Sequence, residues 1–184
     1  MRAQIYVRMK ALNGFEISFF GLKEGKHRFE YKIEKEFFEY FKYDEFVDAN
    51  LNVGLDFHKK STLLELHFLV EGTSKVNCDV SNEPFDLPLE GNLDLVVKFG
   101  EEYNDDNEEV LIIPHGDHML NVAQYIYEMV VLSVPSKKVH PGIEDGSLDS
   151  EILKKLEELS PERNKNIENT DPRWDDLKKL IDKN

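Results

Sequence analysis

The densest group of potential metal ligands in this 184-residue chain is His115-Gly116-Asp117-His118. Two imidazoles three residues apart can share a metal ion, with Cys78, Asp117 or His140 as further ligands. The pattern competes with a capping role, because Asp117 stands where a helix N-cap is expected, and no metal is assigned on it. The acidic stretch 101–109, EEYNDDNEE, invites a calcium reading through the alternation of Asn104, Asp106 and Glu108. It lacks the glycine of the sharp EF-hand turn, and His115 takes the place of the bidentate glutamate. Six acids without a base read instead as a mobile, solvated loop. Cys78 is the last candidate. A nucleophilic thiol needs a nearby base and a lowered pKa. Its neighbours Asn77 and Asp79 bring no positive charge, and its phase with Val76 and Val80 points it toward a core as a small hydrophobe.

Other chemistries lack their signatures. There is no phosphate-cradling glycine loop, no G-x-S-x-G elbow and no H-E-x-x-H motif. No catalytic residue and no cofactor is therefore assigned. Nucleic-acid binding calls for basic residues clustered with aromatics. The nearest approach is Tyr40, Phe41, Lys42 and Tyr43, and Asp44 and Glu45 follow at once. The net charge is −14; residues 101–184 hold 20 acids against 10 bases. A field of that sign repels phosphate backbones and attracts basic surfaces. Tight direct RNA binding and DNA binding are not expected. The single cysteine allows no internal disulfide. The start, MRAQIYVRMK, has no apolar run of signal-peptide length, and residues 122–134 are too short and too polar to span a bilayer. The expectation is a cytoplasmic protein with no membrane partner.

Alternation with period two dominates the elements that would position these residues. Ile5, Val7, Met9 and Ala11 begin it; Phe15, Ile17 and Phe19 resume it after the turn signal Asn13-Gly14. Phe29, Tyr31 and Ile33 follow, then Leu51, Val53, Leu55 and Phe57, then Leu64, Leu66, Phe68 and Val70 up to a break at Gly72. Val76, Cys78 and Val80 form a shorter run, and Leu93, Leu95, Val97 and Phe99 close the series. Such strands bury one face and wet the other, and many of them with short turns suggest an antiparallel barrel or sandwich. Residues 36–41, EFFEYF, fit a helical turn or a strand. A short strand is expected over 110–113 and a helix from about 119 to 133, capped by Asp117 and ended by Pro135. Helices at 150–159 and 172–182 flank the polar stretch SPERNKNIENT. The fold class is therefore α+β: a β-rich domain over 1–140 with one packed helix, then a polar linker and helical tail over 141–184.

Three stretches resemble the YceD family, named for accumulation of the large ribosomal RNA subunit, and look closest to its Bacteroidetes members. Residues 76–99, VNCDVSNEPFDLPLEGNLDLVVKF, are similar to the family's Cys-Asp strand and following hairpin. Residues 112–134, followed by Pro135, resemble its helix and helix stop. Asp171-Pro172-Arg173-Trp174 with DLKKL resembles its C-terminal signature. Many members carry C-D-R-C-L and later cysteines, a set that suggests zinc. Here the stretch is Cys78-Asp79-Val80-Ser81-Asn82, with Ser81 at the second cysteine and Val80 at the arginine, so a thiolate site of that kind cannot form within one chain.

The resemblance implies a non-enzymatic role in large-subunit rRNA synthesis, processing or stability. It also implies a neighbouring gene for a small basic ribosomal protein, which suits the charge: the expected partner is that protein or a pre-ribosomal particle, with indirect rRNA contact. A direct rRNA-binding module is the alternative, and a small-ligand or enzymatic barrel a further one. The family strand contributes Cys78 and Asp79; the partner-binding candidates are Asp171, Pro172, Arg173, Trp174 and Leu177. Asp171 suits an N-cap, Pro172 the first helical position, and the later lysines complement the helix dipole. Trp174, Leu177 and Ile181 would form one apolar stripe. If that stripe serves a partner, Trp174→Ala leaves the melting temperature nearly unchanged and impairs partner binding, and Trp174 emission shifts to the blue when ribosomal extract is added. A buried core tryptophan would instead cost about 3–5 kcal/mol on truncation, which a thermal melt distinguishes.

Overall fold

The computed structural model describes residues 13–107, 109–148 and 151–159. The Ile5-to-Ala11 alternation and the Asp171-to-Leu177 candidates lie outside the described residues. The chain divides into two compact units, Met1–His140 and Pro141–Asn184.

In the first unit a 3₁₀ turn at Asn13–Phe15 leads into β1 (Glu16–Ser18); β2 is Gly25–Glu34, α1 Lys35–Tyr40, β3 Phe46–Lys59, β4 Leu63–Asn77 and β5 Pro84–Gly100. Then come β6 (Val110–Pro114), β7 (Met119–Asn121) and α2 (Ala123–Ser133). β2 to β6 form one sheet in sequence order, and β1 pairs antiparallel with β7. The β2–β3, β3–β4 and β4–β5 pairings are antiparallel, whereas β5–β6 is parallel. The alternation works as expected: Leu51, Val53, Leu55 and Phe57 of β3, Leu64, Leu66, Phe68 and Val70 of β4, and Leu89, Leu95 and Val97 of β5 are buried on one face.

EFFEYF resolves as helix. α1 turns Phe37 and Phe38 into the core, where Phe38 meets Phe46 edge-on at 4.7 Å. Phe41 beyond it stacks on Tyr127 of α2 at 4.3 Å. α2 lies against β4 and β5 and buries Ala123, Ile126, Met129 and Val130.

Five expectations are corrected. No closed barrel forms: among the described residues β2 and β6 are the outer strands of an open sheet. The inner face is covered by helices, α1 over β2 and β3 and α2 over β4 and β5, so it is buried without the sheet closing on itself. The helix starts at Ala123 rather than 119, because Met119–Asn121 is taken by the strand pairing with β1. Asp117 does not cap it; the Asn121 side-chain oxygen accepts the Ala123 N–H at 3.0 Å. Gly72 is not a break, since β4 runs through it in register with Leu51 and Leu89. Finally, the Val76-to-Val80 run is not all strand, because β4 ends at Asn77 and Cys78 to Val80 enter a turn.

In the second unit, α3 (Pro141–Glu144) is one short turn and α4 (Glu151–Leu159) is an amphipathic helix whose Ile152, Leu156 and Leu159 are exposed.

Gly72 shows why the central strand needs a glycine there. Its φ is +147°, and a Cβ would lie 2.4 Å from the Asn50 carbonyl oxygen. Gly72→Ala is therefore expected to destabilise the protein by about 1–3 kcal/mol in urea unfolding. Gly116→Ala is the control: with nothing within 4 Å of the new Cβ it should leave the midpoint unchanged.

Candidate functional site

Cys78 and Asp79 occupy the turn between β4 and β5. The Cys78 N–H donates to the Glu83 carbonyl at 2.9 Å, and the Asn82 N–H donates to the Cys78 carbonyl at 2.9 Å. Asn82 adopts φ +57°, a left-handed conformation that asparagine tolerates better than most residues. The Cys78 sulfur is buried and accepts N–H groups from Val80 at 3.4 Å, Ser81 at 3.5 Å and His140 at 3.3 Å. Burial pushes the thiol up. The Ser81 side chain and the N–H groups of Ser81, His140 and Val80 outweigh that and hold it below its ordinary range. Ser81 is itself fully buried, and its hydroxyl accepts the Glu83 N–H.

The same turn ties down the chain that leaves α2. The Asp79 N–H donates to the Lys138 carbonyl at 2.8 Å, and the Lys138 N–H donates back to Asp79 Oδ2 at 2.6 Å. Lys138 Nζ reaches Glu45 Oε2 at 2.8 Å, and the His140 ring meets Phe85 edge-on at 5.5 Å. The motif is thus a clamp joining three parts of the fold.

His115 and His118 lie on the turn between β6 and β7, not at a helix start. The His115 N–H donates to the Gly100 carbonyl and its ring stacks on Phe99; the His118 carbonyl accepts the Phe19 N–H. Among the described residues no three His, Cys, Asp or Glu side chains converge on a point where a metal would sit.

The acidic stretch after β5 is solvated but built. Asn104 and Ile112 exchange N–H···O bonds at 2.9 and 2.8 Å, so the loop returns along the outer side of β6. The Asn104 side-chain oxygen accepts the Asp106 N–H, and that of Asn107 accepts those of Glu109 and Val110. This return lets β6 lie parallel to β5, and it shields an edge that would otherwise present unpaired backbone groups.

The other face of the sheet is open to water and carries the charge. Its rows cross the strands in register. One row runs Arg28, Asp56, His67, Asp94; the next Glu30, Gly54, Leu69, Asn92; the third Lys32, Asn52, Glu71, Glu90. Arg28 pairs with Glu30 at 3.2 Å and Asp56 at 3.5 Å, Lys32 with Glu34 at 2.7 Å, and His67 Nδ1 with Asp94. Glu65 is bonded to Lys60 and to His58. The Lys60 bond leads in holding its carboxyl below the usual range, against a smaller opposing effect of burial. Over the middle rows lies a groove of about 970 Å³ bordered by Arg28, Glu30, Asn52, Gly54, Leu69 and Glu71. Sequence reading missed this face as a site. Alternation marks its residues as wet, but which of them stand side by side depends on a register that no single strand reveals.

Residues 66–181 match the family described as Large ribosomal RNA subunit accumulation protein YceD. The chain belongs to the YceD family. No curated protein and no solved structure matches it. The YceD match takes in most of β4, the Cys78–Asp79 turn, β5 to β7 and α2, and it extends through Asp171-Pro172-Arg173-Trp174. β1, β2, α1 and β3 precede it. The Cys78–Asp79 turn, inside the matched range, is joined to both the hairpin and the segment after α2.

The clamp predicts a local effect. Asp79→Ala removes the carboxylate that holds the Lys138 N–H. It is expected to cost about 1 kcal/mol and to speed hydrogen exchange at the Lys138 amide, with the amides of β3 unaffected. Unchanged exchange at Lys138 would show that the clamp does not hold that segment.

Proposed function

We propose that this YceD protein is a non-catalytic cytoplasmic factor that supports accumulation of large-subunit ribosomal RNA by engaging a basic ribosomal protein or a precursor particle. The observation that carries the reading is the family match over 66–181. The mechanism draws its support from charge. At −14 the protein's field opposes an RNA backbone and favours a cationic partner, and the stretch after β5 concentrates acids on an exposed return loop. Ribosomal proteins that bind rRNA must display basic surface before assembly, and an acidic companion can shield that surface until rRNA displaces it. Contact with rRNA is then indirect. The Asp171-Pro172-Arg173-Trp174 segment with Leu177 is proposed as a second contact, an amphipathic helix offered to a partner groove.

The test is a pull-down from lysate with the full chain, with and without ribonuclease. Basic ribosomal proteins are expected to remain bound after ribonuclease treatment and to dissociate as salt is raised, since exposed charges more than about 8 Å apart are screened at physiological ionic strength. Capture that disappears entirely with ribonuclease would instead establish direct rRNA binding.

A further inference from the structure

We propose that the open face of the sheet, centred on Glu71, Glu90 and Leu69, is the docking surface for an extended, arginine- or lysine-rich protein segment. This inference rests on the proposed partnership with a basic ribosomal protein and says where on the fold that partnership is made.

Most charges on this face are settled locally; among the described residues Lys26 and Lys98 at one end of it, and Glu71 and Glu90 three or more rows away, have no ion pair. Arg28, Lys32, Lys60, His67 and Lys75 each pair with a carboxylate of the same or a neighbouring strand. Glu71 and Glu90 have no ion-pair partner among the described residues, yet they are directly opposed across β4 and β5. Like charges directly opposite in an antiparallel pair repel each other and destabilise the sheet. Lys32 stands in the same row but is bonded to Glu34, two residues along its own strand. The row thus carries two exposed carboxylates whose repulsion no ion pair among the described residues relieves.

The shape beside them suits a chain. Gly54 contributes no side chain to the neighbouring row, and the Arg28 guanidinium lies over it, 3.3 Å from where a Cβ would stand, so the row is bordered on that side by a cation already paired with Glu30 and Asp56. Leu69, 47% exposed, lies next to Gly54 and Asn92 in that row. An exposed leucine beside two carboxylates matches the two halves of a long basic side chain: an aliphatic stem and a charged head. Opposed side chains on neighbouring strands have Cβ atoms about 4.5–5.5 Å apart, close enough for one guanidinium to serve both carboxylates. Asn52 and Asn92 supply amides that can bond the backbone of an extended segment. Four strands at about 4.8 Å spacing give a track of about 15 Å, the reach of four to five extended residues. A polyanion would meet the two carboxylates head-on, so the occupant is a cationic peptide and not RNA.

The experiment uses the full chain and a fluorescein-labelled (Arg-Val)4 peptide, followed by anisotropy. The face variant is Glu71→Gln/Glu90→Gln; the control, with the same change in net charge, is Glu24→Gln/Asp44→Asn, two exposed acids outside both the open face and the acidic loop. The face variant is expected to weaken peptide binding about tenfold or more while raising the melting temperature by about 1–3 °C as the repulsion is relieved. The control should bind within about twofold of the unaltered chain. Leu69→Lys, which puts a fixed cation beside the carboxylates, should weaken binding as well. Equal weakening by both double variants, unaltered binding by the face variant, or preference of the unaltered chain for labelled oligouridine over the peptide would each overturn the proposal. The ribonuclease-resistant pull-down separates the two levels. If Glu71→Gln/Glu90→Gln still captures basic ribosomal proteins, the surface is wrong and the partnership stands. If the unaltered chain captures none, the partnership itself fails.

Discussion

β4 is hydrogen-bonded on both sides along nearly its whole length, to β3 from Leu64 to Val76 and to β5 from Leu63 to Asn77. With a side-chain period of two, that double register decides which residues of three strands share a face. It puts Phe57, Phe68 and Leu95 inside, and it sets His67 beside Asp94 and Glu71 beside Glu90 outside. A slip of one residue would exchange the two sets. At Gly72 β4 is crowded, with the Asn50 carbonyl oxygen pressed against the space a side chain would fill. A strand of this length must be accommodated at such a point, and glycine does so without breaking either ladder.

Much of this was legible in the sequence, for a physical reason. The alternations from Leu51 and from Leu64 reflect a sheet with one face in water, and such a sheet leaves its signature in every strand. What covers the dry face leaves no comparable trace in the strands, so a barrel was as natural an expectation as an open sheet under helices. The start of α2 was displaced for a similar reason. Asp117 suits a cap, but Met119 and Leu120 are claimed by a strand partner a hundred residues away, in β1, so the helix begins later, with Val122 at the cap position and Asn121 accepting the Ala123 N–H. EFFEYF was open because six residues cannot separate the two periods; its packing against Phe46 and Tyr127 decides for helix. The acidic stretch read correctly as exposed, but a parallel strand pair joined by so short a return could not be foreseen from composition.

The Cys78 turn is fastened almost entirely by backbone groups. The residues that resemble the family pattern are here joined by backbone bonds: two N–H groups of the turn itself and one from His140 converge on the sulfur, and Asp79 exchanges bonds with Lys138. None of these requires a second thiol. Ser81 keeps a small polar side chain beside the sulfur and satisfies the Glu83 N–H. A buried sulfur receiving three N–H donors and a hydroxyl is stabilised as an acceptor, which explains why its proton is held less tightly than burial alone would dictate. The turn therefore ranks as a fastening of the fold, and its loss would be felt first in the chain after α2.

That separation bears on where function lies. Net charge acts at a distance and weakens with salt, so it can draw a basic partner toward the protein without choosing where it lands. Landing requires local complementarity, and local complementarity is visible as charge the fold leaves unbalanced. On the open sheet face Arg28, Lys32, His67 and Lys75 already have their anions within the same or the adjacent strand, so those pairs offer a newcomer little. The opposed carboxylates of Glu71 and Glu90 are different in kind, because bringing a cation there removes a repulsion as well as adding an attraction. The energetic gain on docking is largest where the free protein is least satisfied. The register of the central strands, set by burial on one face, thereby produces the feature on the other face that a partner can use.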